Sequence, residues 1–154
     1  MGNNSEWYTK IINDIENYIT KLNKKEQERY KLKLLLRIVK RVESYSDQCM
    51  ECQKHQYDLV QLVEELGRIP DLSKEEYKKY AVTLDKIMNH LMKEHKLISE
   101  GQYIAIGMAL GMCFGMPLAM SIGNIALGPA MGLPFGVAIG VALESDAKKK
   151  GKVI

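Results

Sequence analysis

The sequence predicts an all-α protein: an N-terminal four-helix bundle followed by a hairpin of two transmembrane helices. Three observations lead there. Charge is segregated: residues 1–100 carry 18 Lys/Arg and 17 Asp/Glu, residues 101–143 carry none, and residues 144–154 add two acids and four lysines. Apolar residues in the first hundred positions recur at helical spacing, and strand-like alternation is absent. In the uncharged run, glycines fall four apart in both halves. The chain therefore divides into a cytoplasmic bundle at 1–100, a membrane hairpin at 101–143 and a basic tail at 144–154.

Each element follows from its own signals. Trp7, Tyr8, Ile11, Ile12, Ile15, Tyr18, Ile19 and Leu22 form the stripe of a first amphipathic helix. Leu32, Leu35, Leu36, Val39 and Val42 form that of a second. Ser46 and Asp47 are N-cap candidates for a third helix running to Leu66, with Gly67 as its stop. Residues 68–76, RIPDLSKEE, read as a loop containing a capping box, Ser73 with Glu76 three positions later. The fourth helix carries Tyr77, Tyr80, Ala81, Leu84, Ile87, Met88, Leu91 and Met92. Nothing interrupts it before residues 99–101, so it is expected to lead almost directly into the first span. Four short amphipathic helices with brief links make a bundle.

Within this region, residues 24–41 hold eight bases (Lys24, Lys25, Arg29, Lys31, Lys33, Arg37, Lys40, Arg41) against Glu26 and Glu28. Such a run is ordinarily a solvated helix face. Attraction to anionic lipid headgroups is the second reading.

An uncharged run of 43 residues is too long for one span and suits two of roughly 20 residues each. In the first span Gly107, Gly111, Gly115, Ala119 and Gly123 lie four apart; in the second, Gly128, Gly132, Gly136 and Gly140 do. Lipid tails are as apolar as leucine, so membrane helices associate by close packing, and small residues four apart let backbones approach. Such ridges can meet within one hairpin or between copies. Pro117, Pro129 and Pro134 are tolerated in membrane helices. Lys93, His95 and Lys96 precede the first span and Lys148, Lys149, Lys150 and Lys152 follow the second, while the turn at 121–129 has no base. The positive-inside rule then puts a two-span protein in the cell membrane with both termini in the cytoplasm.

The pair GMALGMCFGMPLAM and GPAMGLPFGVAIGVAL resembles the glycine-zipper membrane segments of many small bacterial proteins and some pore-forming toxins. The resemblance covers about residues 101–143. It implies close helix packing, with a homo-oligomer as the expected assembly. Met108, Met112, Met116 and Met120 add a ladder, with Cys113 beside it. Thioether and thiolate ligands favour Cu(I), and copper-uptake trimers similarly combine a methionine pair four apart with a glycine motif. No methionine- or histidine-rich segment lies outside the spans to collect metal, so gap-filling beside glycine is the preferred role.

The remaining chemistry lies in the first hundred residues: Cys49-Met-Glu-Cys52, His55, and His90-Leu-Met-Lys-Glu-His95. Written as C-x2-C and H-x4-H, both spacings suit structural zinc. If the third and fourth helices fold back at residues 69–70, Cys49 is level with His90 and Cys52 with Ile87. His95 then sits about 7 Å further along the axis and needs a bent helix end to join. His55 is a substitute ligand. Cys49, Cys52, His90 and His95 are thus the candidate zinc ligands. The competing reading is that Cys52 and His95 are buried, unliganded stripe residues. A stable Cys49–Cys52 disulfide is not expected in the cytoplasm.

No nucleophile–base pair, phosphate loop or telling carboxylate pair is present, so no enzyme activity is expected. Near-neutral charge over the first hundred residues argues against a nucleic-acid partner. MGNNSEWYTK holds no signal-peptide core. The expectation is a membrane-anchored helical interaction protein that self-associates, with a membrane-perturbing effector as a variant. Its partners would be the lipid bilayer, further copies and an unidentified protein bound by the bundle. The alternative is a zinc or copper sensor or transporter using the Cys/His or Met ligands.

Overall fold

The computed structural model describes residues 3–68 and 73–154. Among them the chain is helical, without strands, and divides into two compact units, Met1–His95 and Lys96–Ile154. Of the loop expected at residues 68–76, positions 69–72 lie outside the described residues, and the last three, Lys74 to Glu76, already belong to a helix because the Ser73 cap starts it there.

The first unit contains α1 (Asn3–Lys21), α2 (Lys24–Arg29), α3 (Leu32–Ser46), α4 (Met50–Leu66) and α5 (Lys74–Glu94). It therefore has five helices where four were expected. The extra break is at Lys31, whose φ of 50° is left-handed and cannot continue a helix. The short α2 buries nothing and is set by a capping box: Asn23 Oδ1 accepts from Glu26 N–H at 2.9 Å, and Glu26 Oε2 accepts from Asn23 N–H at 3.2 Å. The elbow between α2 and α3 is tied to α5 by tyrosines. Tyr80 donates its hydroxyl to the Tyr30 carbonyl at 2.8 Å, Tyr77 donates to the Arg29 carbonyl at 3.2 Å, and Tyr30 packs edge-on against both rings.

The core is the expected apolar stripes: Ile11 and Ile15 from α1, Leu35, Ile38, Val39 and Val42 from α3, Leu59 and Leu62 from α4, Leu84, Ile87 and Leu91 from α5. α3 packs on α1 and α4, and α4 on α5. The third expected helix begins later than its proposed caps. Ser46 ends α3, its hydroxyl donating to the Glu43 carbonyl at 2.8 Å, and Cys49 is the N-cap of α4. The predicted Ser73–Glu76 box is present at the start of α5. That helix stops at Glu94 rather than near residue 100: His95 leaves helical geometry and Lys96 is left-handed at φ 52°.

The second unit is built on α6 (Gln102–Ser121) and α7 (Leu127–Lys149), packed against each other. Both are long and apolar enough to cross a membrane. Their glycines face one another. A Cβ at Gly107 would collide with the Gly136 carbonyl oxygen, one at Gly111 with that of Gly132, and one at Gly115 with that of Gly128. At Gly140 a Cβ would lie 2.7 Å from Ile104 Cα. Ala119 is buried at the end of the same line.

Gly123 was expected on this ridge, but it lies beyond the end of α6. It is left-handed at φ 76°, with Gly123 N–H donating to the Met120 carbonyl and Asn124 N–H to that of Ala119. This is a Schellman stop, which glycine enters without steric penalty. Gly151 ends α7 the same way, with Lys152 N–H donating to the Ala147 carbonyl.

The open end of the hairpin is fastened twice. Ile98 and Val153 form a parallel bridge, Ile98 N–H donating to the Lys152 carbonyl and Ile154 N–H to that of Ile98, both at 2.8 Å. Gly101, at the N-cap of α6, has no side chain to cap the helix. Instead the buried Glu144 of α7 accepts the Gly101 N–H at 2.9 Å, and Lys148 bridges Glu144 and Glu100. The first residues expected in a tail, 144–149, are thus part of α7.

Candidate metal centre

The turn between α3 and α4 is short, and it leaves Cys49 extended at φ −135°, ψ 109°. As an N-cap residue Cys49 makes no side-chain capping bond, so its thiol is not engaged by its own helix. Cys52 lies one turn further along, fully buried on the inner face of α4. The C-x2-C spacing therefore puts both sulfurs at the N-terminal end of α4.

The imidazoles come from the last turn of α5 and the residue after it. Cys49 Sγ lies 3.4 Å from His90 Nε2, and Cys52 Sγ lies 3.5 Å from the same nitrogen. Cys52 Sγ is 3.2 Å from His95 Nε2. All four ligand atoms lie within 4.8 Å of one another. With zinc–sulfur bonds near 2.3 Å and zinc–nitrogen bonds near 2.0–2.1 Å, a tetrahedral site has S···N edges of about 3.6 Å. The three measured edges fall close to that. These four side chains can hold a metal ion such as zinc.

The bent helix end that His95 required is present. Because α5 stops at Glu94, His95 turns at φ −99°, ψ 3° and its ring reaches Cys52. Tyr45 of α3 stacks on that ring at 3.9 Å between centroids. The sequence reading did not single out Tyr45; its only signal was a position one turn before the cysteine segment.

His55 is outside the four. Its Nδ1 lies 2.9 Å from Asp58 Oδ2, its ring meets that of His90 edge-on at 5.2 Å, and it is 1% exposed. It therefore supports the ring of a ligand instead of substituting for one. Asp58, which fixes its orientation, was also missed.

Burial pushes the Cys52 thiol up to about 12, with the neighbouring Cys49 adding to the shift. Desolvation, then the nearby His55 and His95, hold His90 below the ordinary imidazole range. Without a cation Cys52 and His90 thus favour their neutral forms. A divalent ion would reverse this at the Cys52 sulfur, because binding replaces the thiol proton and supplies the compensating charge. No carboxylate belongs to the set. Four protein ligands leave no open position for a hydrolytic water.

Among the described residues the remaining cysteine, Cys113, is not one of the four. Cys113, Met108, Met116 and Met120 are exposed along α6. The chain matches no protein-family model, no curated protein and no solved structure.

Proposed function

We propose that this chain is a membrane-anchored helical interaction module: a cytoplasmic helical unit clamped by structural zinc, carried on a two-span hairpin. One observation carries the membrane reading. Of the eighteen large apolar side chains exposed among the described residues, fifteen lie between Ile106 and Leu143. Phe114 and Phe135 are each 71% exposed. A helix pair in the core of a water-soluble protein would bury these groups, whereas in a bilayer they meet acyl chains. The uncharged turn and the lysines flanking the other end support a hairpin with both termini cytoplasmic.

The zinc is structural in this reading. It ties the start of α4 to the end of α5, replacing hydrophobic contact where the helix ends are polar. The glycines bring α6 and α7 together within one chain. Self-association would then use a flank of the hairpin, where Leu110, Phe114, Leu118, Met131, Phe135 and Ile139 line an apolar groove of about 320 Å³.

Two measurements test the reading: metal content after purification in mild detergent, and co-flotation with phosphatidylcholine vesicles resistant to alkaline extraction. One zinc per chain and retained flotation are expected. Extraction by alkali would refute the spanning hairpin, and a metal-free protein the clamp. The second reading, a metal sensor, is favoured by the same Cys/His cluster and requires reversible metal exchange. Dye leakage from vesicles carrying the purified protein would point to the membrane-perturbing variant instead.

A further inference from the structure

The basic run makes an outward stripe on α3, and the bases of α2 and the elbow before it are exposed. Along α3, Lys33, Arg37, Lys40 and Ser44 follow one another at steps of four, three and four, which keeps them on one face. Leu35, Ile38, Val39 and Val42 are buried on the opposite side. Lys24, Lys25, Arg29, Lys31, Lys33 and Lys40 are exposed. Among the described residues, none of those five lysines makes an ion pair with an acid, whereas Lys54, Lys86, Lys148 and Lys150 all do. Arg29 lies over the Tyr77 ring at 5.0 Å, which holds this part of the run in place.

From this we infer that the α2–α3 basic run is a docking surface for the anionic headgroups of the bilayer the hairpin spans, an inference that rests on the membrane reading above. The shape suits a flat, charged sheet: a convex helix face bearing lysines on long stems, with no exposed aromatic side chain on it to stack a base. Chain continuity adds the second argument. The first unit is joined covalently to the second at Lys96, so any docking on the bilayer is an intramolecular event with a raised effective concentration. Each base near an anionic leaflet contributes roughly a five-fold preference for the surface, screened by salt.

The test uses the full chain reconstituted into vesicles of phosphatidylcholine alone or with about 30% phosphatidylserine, a composition chosen to give a negative surface potential. Acylation rates of individual lysines are read by mass spectrometry, with Lys54 and Lys86 as internal references. Labelling of Lys24, Lys25, Lys31, Lys33 and Lys40 is expected to slow several-fold in the anionic vesicles only, and to recover at about 0.5 M salt. In a K25Q/K33Q/K40Q variant, substituted only at exposed positions, Lys24 and Lys31 should label as fast as in neutral vesicles. Lipid-independent labelling of a chain that still floats would overturn the stripe alone. Failure to float with neutral vesicles would overturn the membrane reading and the stripe with it. Slowing by added RNA but not by anionic lipid would assign the face to nucleic acid and reject the proposal.

Discussion

His95 Nε2 lies 3.2 Å from Cys52 Sγ, although the two residues are 43 positions apart. The contact exists because α5 ends one residue before His95, and so it couples a helix stop to a metal ligand.

Zinc should therefore stabilise the first unit in proportion to its occupancy. At free zinc one hundred times the dissociation constant, a bound metal adds about 2.7 kcal/mol to the folded state. Thermal unfolding of the wild type should shift upward with zinc and downward with a chelator. Cys52→Ala and His95→Ala should show neither response. Identical transitions with and without chelator in the wild type would refute the clamp.

His55 and His90 should separate cleanly. His90→Gln is expected to lose stoichiometric metal. His55→Gln should keep it while destabilising the fold by roughly 1–3 kcal/mol, because Asp58 loses its buried partner. Metal content together with denaturant unfolding measures both effects. Loss of zinc from the His55 variant would place that imidazole among the ligands.

In the hairpin, Gly111→Leu combined with Gly136→Leu should force α6 and α7 apart by several ångströms, since even a Cβ at either position meets partner backbone. Spin labels at Ile104 and Val141 would report the distance. Insertion, read by resistance to alkaline extraction, should be unchanged because the spans become more apolar. An unaltered label separation would mean the glycine approach does not hold the hairpin.

Tyr80→Phe removes a buried hydroxyl that donates to the Tyr30 carbonyl at 2.8 Å. Chemical denaturation should show a loss of about 1–2 kcal/mol, the cost of the bond plus an unpaired carbonyl at the elbow. The ring remains to pack on Tyr30, so the fold itself should persist. A neutral effect would mean that water replaces the hydroxyl there.

Much of the fold was legible because its signals are local. The stripe containing Ile11 and Ile15, the Ser73–Glu76 box and the glycine spacing each operate within a turn or two of helix. Lys31 was illegible: lysine has no preference for a left-handed backbone, and the break depends on tyrosines of α5 holding the Arg29 and Tyr30 carbonyls. Gly123 was misread because four-residue spacing cannot distinguish a ridge position from the glycine that terminates the ridge. Glu144 looked like part of a charged tail, and only the return of α7 alongside α6 makes it the cap of Gly101.

By itself, then, the sequence determined that the chain is helical, that its charges separate from its apolar spans, and which sulfur and imidazole groups could share a metal. These follow from periodicity and composition, properties that neighbouring residues carry without reference to the rest of the chain. Tertiary structure decided that His95 and not His55 completes the four, that the two glycine lines face each other within one hairpin, and that Lys24, Lys25, Lys31, Lys33 and Lys40 are all left exposed. Those outcomes depend on the relative height and rotation of helices distant in sequence, which packing sets through the summed fit of many side chains.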